Sequence, residues 1–147
     1  MAFKYPTGKL TPEEKAKLNV ELLPERDNVQ VYKDGFDLLL LVYKTTVGMN
    51  RAYRYTLGEE MKLTVQRLLA AIYEAKKSTP RAALLIDALH WLYEAKVLYR
   101  VMDELNLLKN WQCAAYINYL ATISKQLTAW HKYEQRKETK QNKADGS

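Results

Sequence analysis

Apolar residues recur at steps of three and four through most of the chain. In the first long stretch they are Val29, Tyr32, Phe36, Leu39, Leu40, Tyr43 and Val47. That spacing puts them on one face of a helix, predicted from about Asp27 to Gly48. Gly35 costs roughly 1 kcal/mol relative to alanine in a helix interior, so Asp34 is the alternative start. A second helix is predicted from Thr56, where Thr56 and Glu59 form a capping-box pattern. Leu57, Met61, Val65, Leu68 and Ile72 line its face, and it stops near Ser78-Thr79 because Pro80 disfavours a helical residue before it.

Thr79 is the predicted N-cap of the third helix, with Pro80 at the first helical position. Leu84, Ala88, Trp91, Ala95, Leu98, Met102 and Leu105 follow at heptad spacing. Leu85, Leu89 and Leu92 form a second stripe, and Ile86, Tyr93, Val97 and Val101 a third. The fourth helix opens at Asn110 as N-cap. Cys113, Tyr116, Leu120, Ile123, Leu127 and Trp130 form its seam, which fades near Glu138.

Four such helices with short links predict an all-α fold, an up-down-up-down four-helix bundle over residues 27–138. Residues 1–26 hold three of the four prolines and read as an N-terminal arm. Thr11-Pro12-Glu13-Glu14 can start a short helix there, ending near Asn19. Residues 139–147 read as a disordered basic tail. The third helix carries more apolar surface than one bundle position can bury. Such a surplus marks either a contact surface or the most central helix of a monomer.

Composition narrows the classes. Five Gly and four Pro in 147 residues are too few for a turn-rich β-sandwich. The single Cys forms no intrachain disulfide and fits a reducing, cytoplasmic setting. The longest apolar run, Phe36 to Tyr43, is broken by Asp37 and falls far short of a membrane span. Met1 to Pro6 has no apolar core of a secretory signal. Net charge is +6, and residues 110–147 carry six Lys/Arg against three Asp/Glu, half of the excess. A basic balance of this kind suits a polyanion partner or simply a solvated surface.

The side chains that carry chemistry do not assemble. His90 and His131 lie too far apart in sequence for metal-ligand spacing, and Cys113 sits at a seam position where a thiol acts as a small apolar group. The glycines make no phosphate-cradling loop and the serines no nucleophile elbow. A non-enzymatic protein without cofactor, metal or small-molecule substrate is expected.

Bundle topology gathers cations at two ends. One end holds Lys44, Arg51, Arg54 and Lys109, offset by Glu59, Glu60, Asp103 and Glu104. There Met49-Asn50-Arg51-Ala52-Tyr53-Arg54-Tyr55 interleaves cations with aromatics. That run either grips a single strand through phosphate pairing and base stacking or anchors the loop on the core through its tyrosines. The other end holds Lys76, Lys77, Arg81, Lys132, Arg136 and Lys137, with fewer acids nearby. It is the stronger polyanion candidate, helped by the N–H groups at the start of the third helix.

The stretch Arg54-Tyr55-Thr56-Leu57-Gly58-Glu59-Glu60-Met61 follows a Leu- and Tyr-rich helix. A Leu/Ala-rich second helix, a third helix starting at Arg81, and a fourth ending in Leu127-Thr128-Ala129-Trp130 with a basic tail come next. This pattern, from about Val31 to Arg136, resembles the accessory variability determinant (Avd) proteins of diversity-generating retroelements. It also resembles the related four-helix proteins encoded by 23S ribosomal RNA intervening sequences. The arm before Val31 lies outside the pattern. The resemblance implies a bacterial or phage protein that forms a homopentameric barrel. It implies binding of nucleic acid, RNA or DNA, through a basic surface, and association with a reverse transcriptase that copies template RNA into mutagenised cDNA. Carried onto this chain, Lys76, Lys77, Arg81, Lys132, Arg136 and Lys137 are the first candidates for RNA and polymerase contact. Arg51 and Arg54 are the second.

Overall fold

The computed structural model describes residues 8–22 and 30–146. All regular structure among them is helical: α1 (Pro12–Leu22), α2 (Gln30–Thr46), α3 (Arg51–Arg54), α4 (Leu57–Lys77), α5 (Arg81–Glu104) and α6 (Asn110–Asp145). The expectations for Asp27 and Val29 fall outside the described residues.

The four long helices close on one another: α2 packs on α4, α4 on α5, α5 on α6, and α6 back on α2. Neighbours run antiparallel. Lys96 on α5 donates to Ser124 on α6 while Cys113, eleven residues earlier on α6, meets the later Asp103 on α5. On the α2–α6 side, Asp34 meets Gln126 and Thr45 meets Tyr116. The core within this ring is Leu38, Val42, Met61, Val65, Leu68, Ile72, Leu85, Leu92, Met102, Ile123 and Leu127, all essentially solvent-free. Each such side chain contributes roughly 1.5–3 kcal/mol on burial.

One polar pair is built into this core. Tyr116 Oη lies 2.6 Å from Thr45 Oγ1, which itself donates to Leu41 O at 2.9 Å. With the threonine proton on that carbonyl, the phenol donates to the threonine oxygen, and no polar atom of the pair is left unmatched. Burial pushes the Tyr116 phenol up to about 12 despite the lowering effect of the Thr45 hydrogen bond.

Several local expectations change. The predicted α2 face is turned in part: Tyr32 and Leu39 pack partly buried against the core, but Leu40, Tyr43 and Val47 are exposed, whereas Val31, Gly35, Leu38, Leu41, Val42 and Thr45 point inward. The inner stripe contains Gly35 because α2 and α4 approach closely there. A Cβ at Gly35 would lie 2.9 Å from Leu69 Cδ2. The residue that weakens the helix locally is the one that lets it pack.

Three caps also differ. Thr56 Oγ1 donates back to Ala52 O at 3.1 Å, because α3 supplies a carbonyl just before it, so the Thr56–Glu59 box does not form. Pro80 rather than Thr79 precedes α5, and its carbonyl accepts the first helical bond from Leu84. At α6, Lys109 precedes the helix and Gln112 Oε1 accepts the Lys109 N–H at 2.9 Å, so the cap comes from within the first turn and not from Asn110. In the arm, α1 begins as its sequence suggests, with Glu14 N–H on Thr11 Oγ1, but runs past Asn19 to Leu22. α6 does not fade near Glu138. It continues through the stretch read as disordered, to Asp145, because neither Gly nor Pro interrupts it before Gly146.

Candidate nucleic-acid interface

At the α2–α4 end, Asn50 caps the short α3 by accepting the Ala52 N–H, which turns the chain tightly. Arg54 serves this turn. Its Nη2 donates to Met49 O at 3.3 Å, and its guanidinium carbon lies 5.9 Å over the Tyr55 ring. Tyr53 is packed against the core, and so anchors the loop, while Tyr55 and Arg51 are exposed. Of the interleaved run, then, Arg51 and Tyr55 face outward and Arg54 holds the turn.

The α4–α5 end repeats this device. Arg81 sends Nε to Ala75 O and Nη2 to Lys76 O, both at 3.2 Å. These are the last carbonyls of α4, which have no partner within the helix. Arg81 is thus first a clamp on the α4 terminus. Lys77 lies with its Nζ 5.4 Å over the Tyr73 ring. Beside Arg81, a groove of about 450 Å³ runs between the link and α6, and Lys137 and Glu134 line it as well.

The six cations assigned to this end do not form one cluster. Arg81 and Lys137 share the groove. Lys132 and Arg136 lie elsewhere, on the outward side of α6. At 3.6 residues per turn, Lys125, Lys132, Arg136, Lys140 and Lys143 fall along one outward strip, and all five are exposed. From Lys125 to Lys143 the strip is about 27 Å long at 1.5 Å per residue. The acids of this stretch, Glu134 and Glu138, turn inward and line the groove. The strip therefore presents positive charge with no acid interleaved.

Sequence reasoning missed Lys125, Lys140 and Lys143 as members of this surface. Their common angular position was legible in the spacing, but Lys125 was not grouped with the later cations, and the predicted helix ended before Lys140 and Lys143.

The third stripe of α5 is also outward. Ile86, Tyr93, Val97 and Val101 are exposed, Tyr93 at 64% and Val97 at 40%. With Arg100, Glu104 and Leu105 the last two line a shallow, mostly apolar hollow. Adjacent helices thus present an apolar strip and a cationic strip.

Other chemistry is sparse. Among the described residues, no group of three or more His, Cys, Asp and Glu could hold a metal ion. Burial and an Asp103 hydrogen bond push the Cys113 thiol up, which keeps it protonated and unreactive. His90 meets the edge of Trp91, with centroids 5.1 Å apart. No helix among the described residues is long and apolar enough to cross a membrane.

No family model matches the chain, and no curated protein matches it.

Proposed function

We propose that the chain is a non-enzymatic, nucleic-acid-binding accessory subunit of the Avd type, which binds a reverse transcriptase and its template RNA and supports mutagenic cDNA synthesis. The observation that carries the reading is the acid-free cationic strip on α6. Five exposed cations along one helix match a phosphate backbone, whose charges release counterions when neutralised. The apolar strip on α5 supports self-association. In this proposal five copies close into a ring, so each cationic strip is repeated and weak contacts add through multivalency.

The test is RNA binding across a salt series. The reading expects log affinity to fall with log salt, with a slope of roughly 0.7–0.9 per phosphate contacted. Reversing Lys132, Arg136 and Lys140 to Glu should flatten that slope by two or more and weaken all sequences alike. An unchanged slope would remove the strip from the interface.

A second reading follows from the α5 strip alone: a helical module that binds only protein. Tagged purification from the native host separates the readings. Recovery of a reverse transcriptase with RNA supports the accessory subunit, RNA without it supports an intervening-sequence type of protein, and protein without nucleic acid supports the module.

A further inference from the structure

Glu134 is an unusual residue for its position. It is only 7% exposed, on the inward side of α6, yet it belongs to the groove beside the α4–α5 link. Its carboxylate accepts one long hydrogen bond, 3.4 Å from Trp130 Nε1. It takes part in neither of the ion pairs formed among the described residues. A buried carboxylate with one weak donor is costly, and the cost is relieved by a guest that donates to it.

The surroundings restrict that guest. The groove is lined by both signs of charge, Arg81 and Lys137 against Glu134 and Glu138, and Lys76 and Lys77 end the helix that Arg81 clamps. A purely cationic guest meets repulsion from Arg81 and Lys137, and a purely anionic one from Glu134 and Glu138. The guest that satisfies both sides carries neutral N–H donors on one part and negative charge on another. A nucleotide does so. Guanine alone among the four standard bases presents two adjacent N–H donors, N1–H and N2–H, on its Watson–Crick edge. That pair fits the two oxygens of a carboxylate, and its neighbouring O6 accepts from a cation or amide such as Lys137, Gln141 or Asn142. The groove volume of about 450 Å³ gives room for a base and its sugar.

We infer that this groove is a recognition site for an unstacked guanine nucleotide, with Glu134 reading the base edge and the flanking cations holding phosphate. The inference rests on the polyanion reading above and adds base selectivity to it. The strip on α6 supplies affinity without sequence preference, and the groove supplies preference at one position.

Fluorescence anisotropy on the full chain tests it, with labelled short oligouridines carrying one central guanosine, inosine, adenosine or cytidine. The guanosine strand should bind about tenfold tighter than the adenosine strand, the range of one good bidentate base contact. Inosine lacks the amino group and should lose most of that preference without any change to the protein. Glu134→Gln should abolish the preference while leaving base-independent, salt-sensitive binding in place, with circular dichroism checking that the helices persist. Competition by guanosine monophosphate alone would identify the guest as a free nucleotide, and competition only by strands would identify it as part of a chain.

Equal affinity for all four strands overturns the inference and leaves the polyanion reading standing. Loss of all strand binding at low salt removes the polyanion reading. The groove then survives only if guanosine monophosphate still binds and Glu134→Gln abolishes that binding. Binding of a short arginine peptide that depends on Glu134, with no guanine preference, also overturns the inference, because the guest would then be a guanidinium.

Discussion

The inward and outward sides of α5 are made of similar residues and meet opposite fates. Leu85, Ala88, Leu92, Ala95 and Met102 are sealed between α4 and α6, while Ile86, Tyr93, Val97 and Val101 stand in the open on the same helix. Their hydrophobicity does not separate them. What separates them is shape. The inward side places small alanines where the flanking helices come close, and the outward side carries Tyr93 and β-branched residues that no neighbouring helix accommodates. α2 shows the same contrast, with Gly35 and Thr45 turned in and Tyr43 and Val47 turned out. Tight helix contacts select small or well-matched residues, so the richest apolar stripe is not necessarily the core.

Substitutions can break this contrast, beginning with its strongest side. Leu92 is 1% exposed, and Leu92→Ala should lower unfolding free energy by about 2–5 kcal/mol, the range for a cavity that closes only in part. Chemical denaturation measures it, and a loss below half a kcal/mol would mean that the inward side is not closed. The inward polar pair comes next. Thr45→Val leaves the Tyr116 hydroxyl buried without an acceptor and should cost about 1–3 kcal/mol. Tyr116→Phe should cost less, since Thr45 keeps its bond to Leu41.

The same pair sets an alkaline limit. Tyr116 is pushed up from 10.0 to about 12 by burial, and Tyr99, whose ring centroid lies 5.5 Å away, is pushed up to about 12 chiefly by burial as well. The folded state therefore holds these protons more tightly than the unfolded chain. Their contribution is fully present below pH 10 and is lost as pH rises from about 10 to about 12. Tyr116 accounts for about 3 kcal/mol of that loss at most. Denaturation midpoints across this range should fall in the wild type and fall less in Tyr116→Phe.

The smallest stability effect belongs to the outward side. Val97→Asp should change single-chain stability by no more than about 0.5 kcal/mol, as surface substitutions do. If the proposed self-association through this strip holds, the substitution should nevertheless lower the mass read by light scattering. A variant that unfolds, or one whose mass matches the wild type, would erase the distinction between the two sides as proposed.

Much of this was legible in the residues, and the misses have particular causes. The seams of α4 and α6 emerge from spacing alone, because each has one dominant stripe: Met61, Val65, Leu68 and Ile72, and Tyr116, Leu120, Ile123 and Leu127. α2 misled because its outward stripe has larger apolar residues than its inward one. The cation strip was half visible. Lys132 and Arg136 were found, but Lys125 was not grouped with them and Lys140 and Lys143 were assigned to a tail. Arg54 and Arg81 were read as free charges, yet each hydrogen-bonds to backbone carbonyls at a helix link. Glu134 counted only as one of the few acids near the basic end, since nothing in its sequence neighbours announces burial.

The sequence by itself determined the all-helical character, the starts of α4, α5 and α6 to within a few residues, and a positive excess gathered toward the C-terminal end. Those properties are local, set by periodicity, breakers and charge count. Only the tertiary structure decided which apolar stripe faces inward, which arginines clamp the links, and that a carboxylate on α6 is enclosed beside a basic link. These depend on distances between helices, and such distances follow from packing rather than from any single stretch of chain.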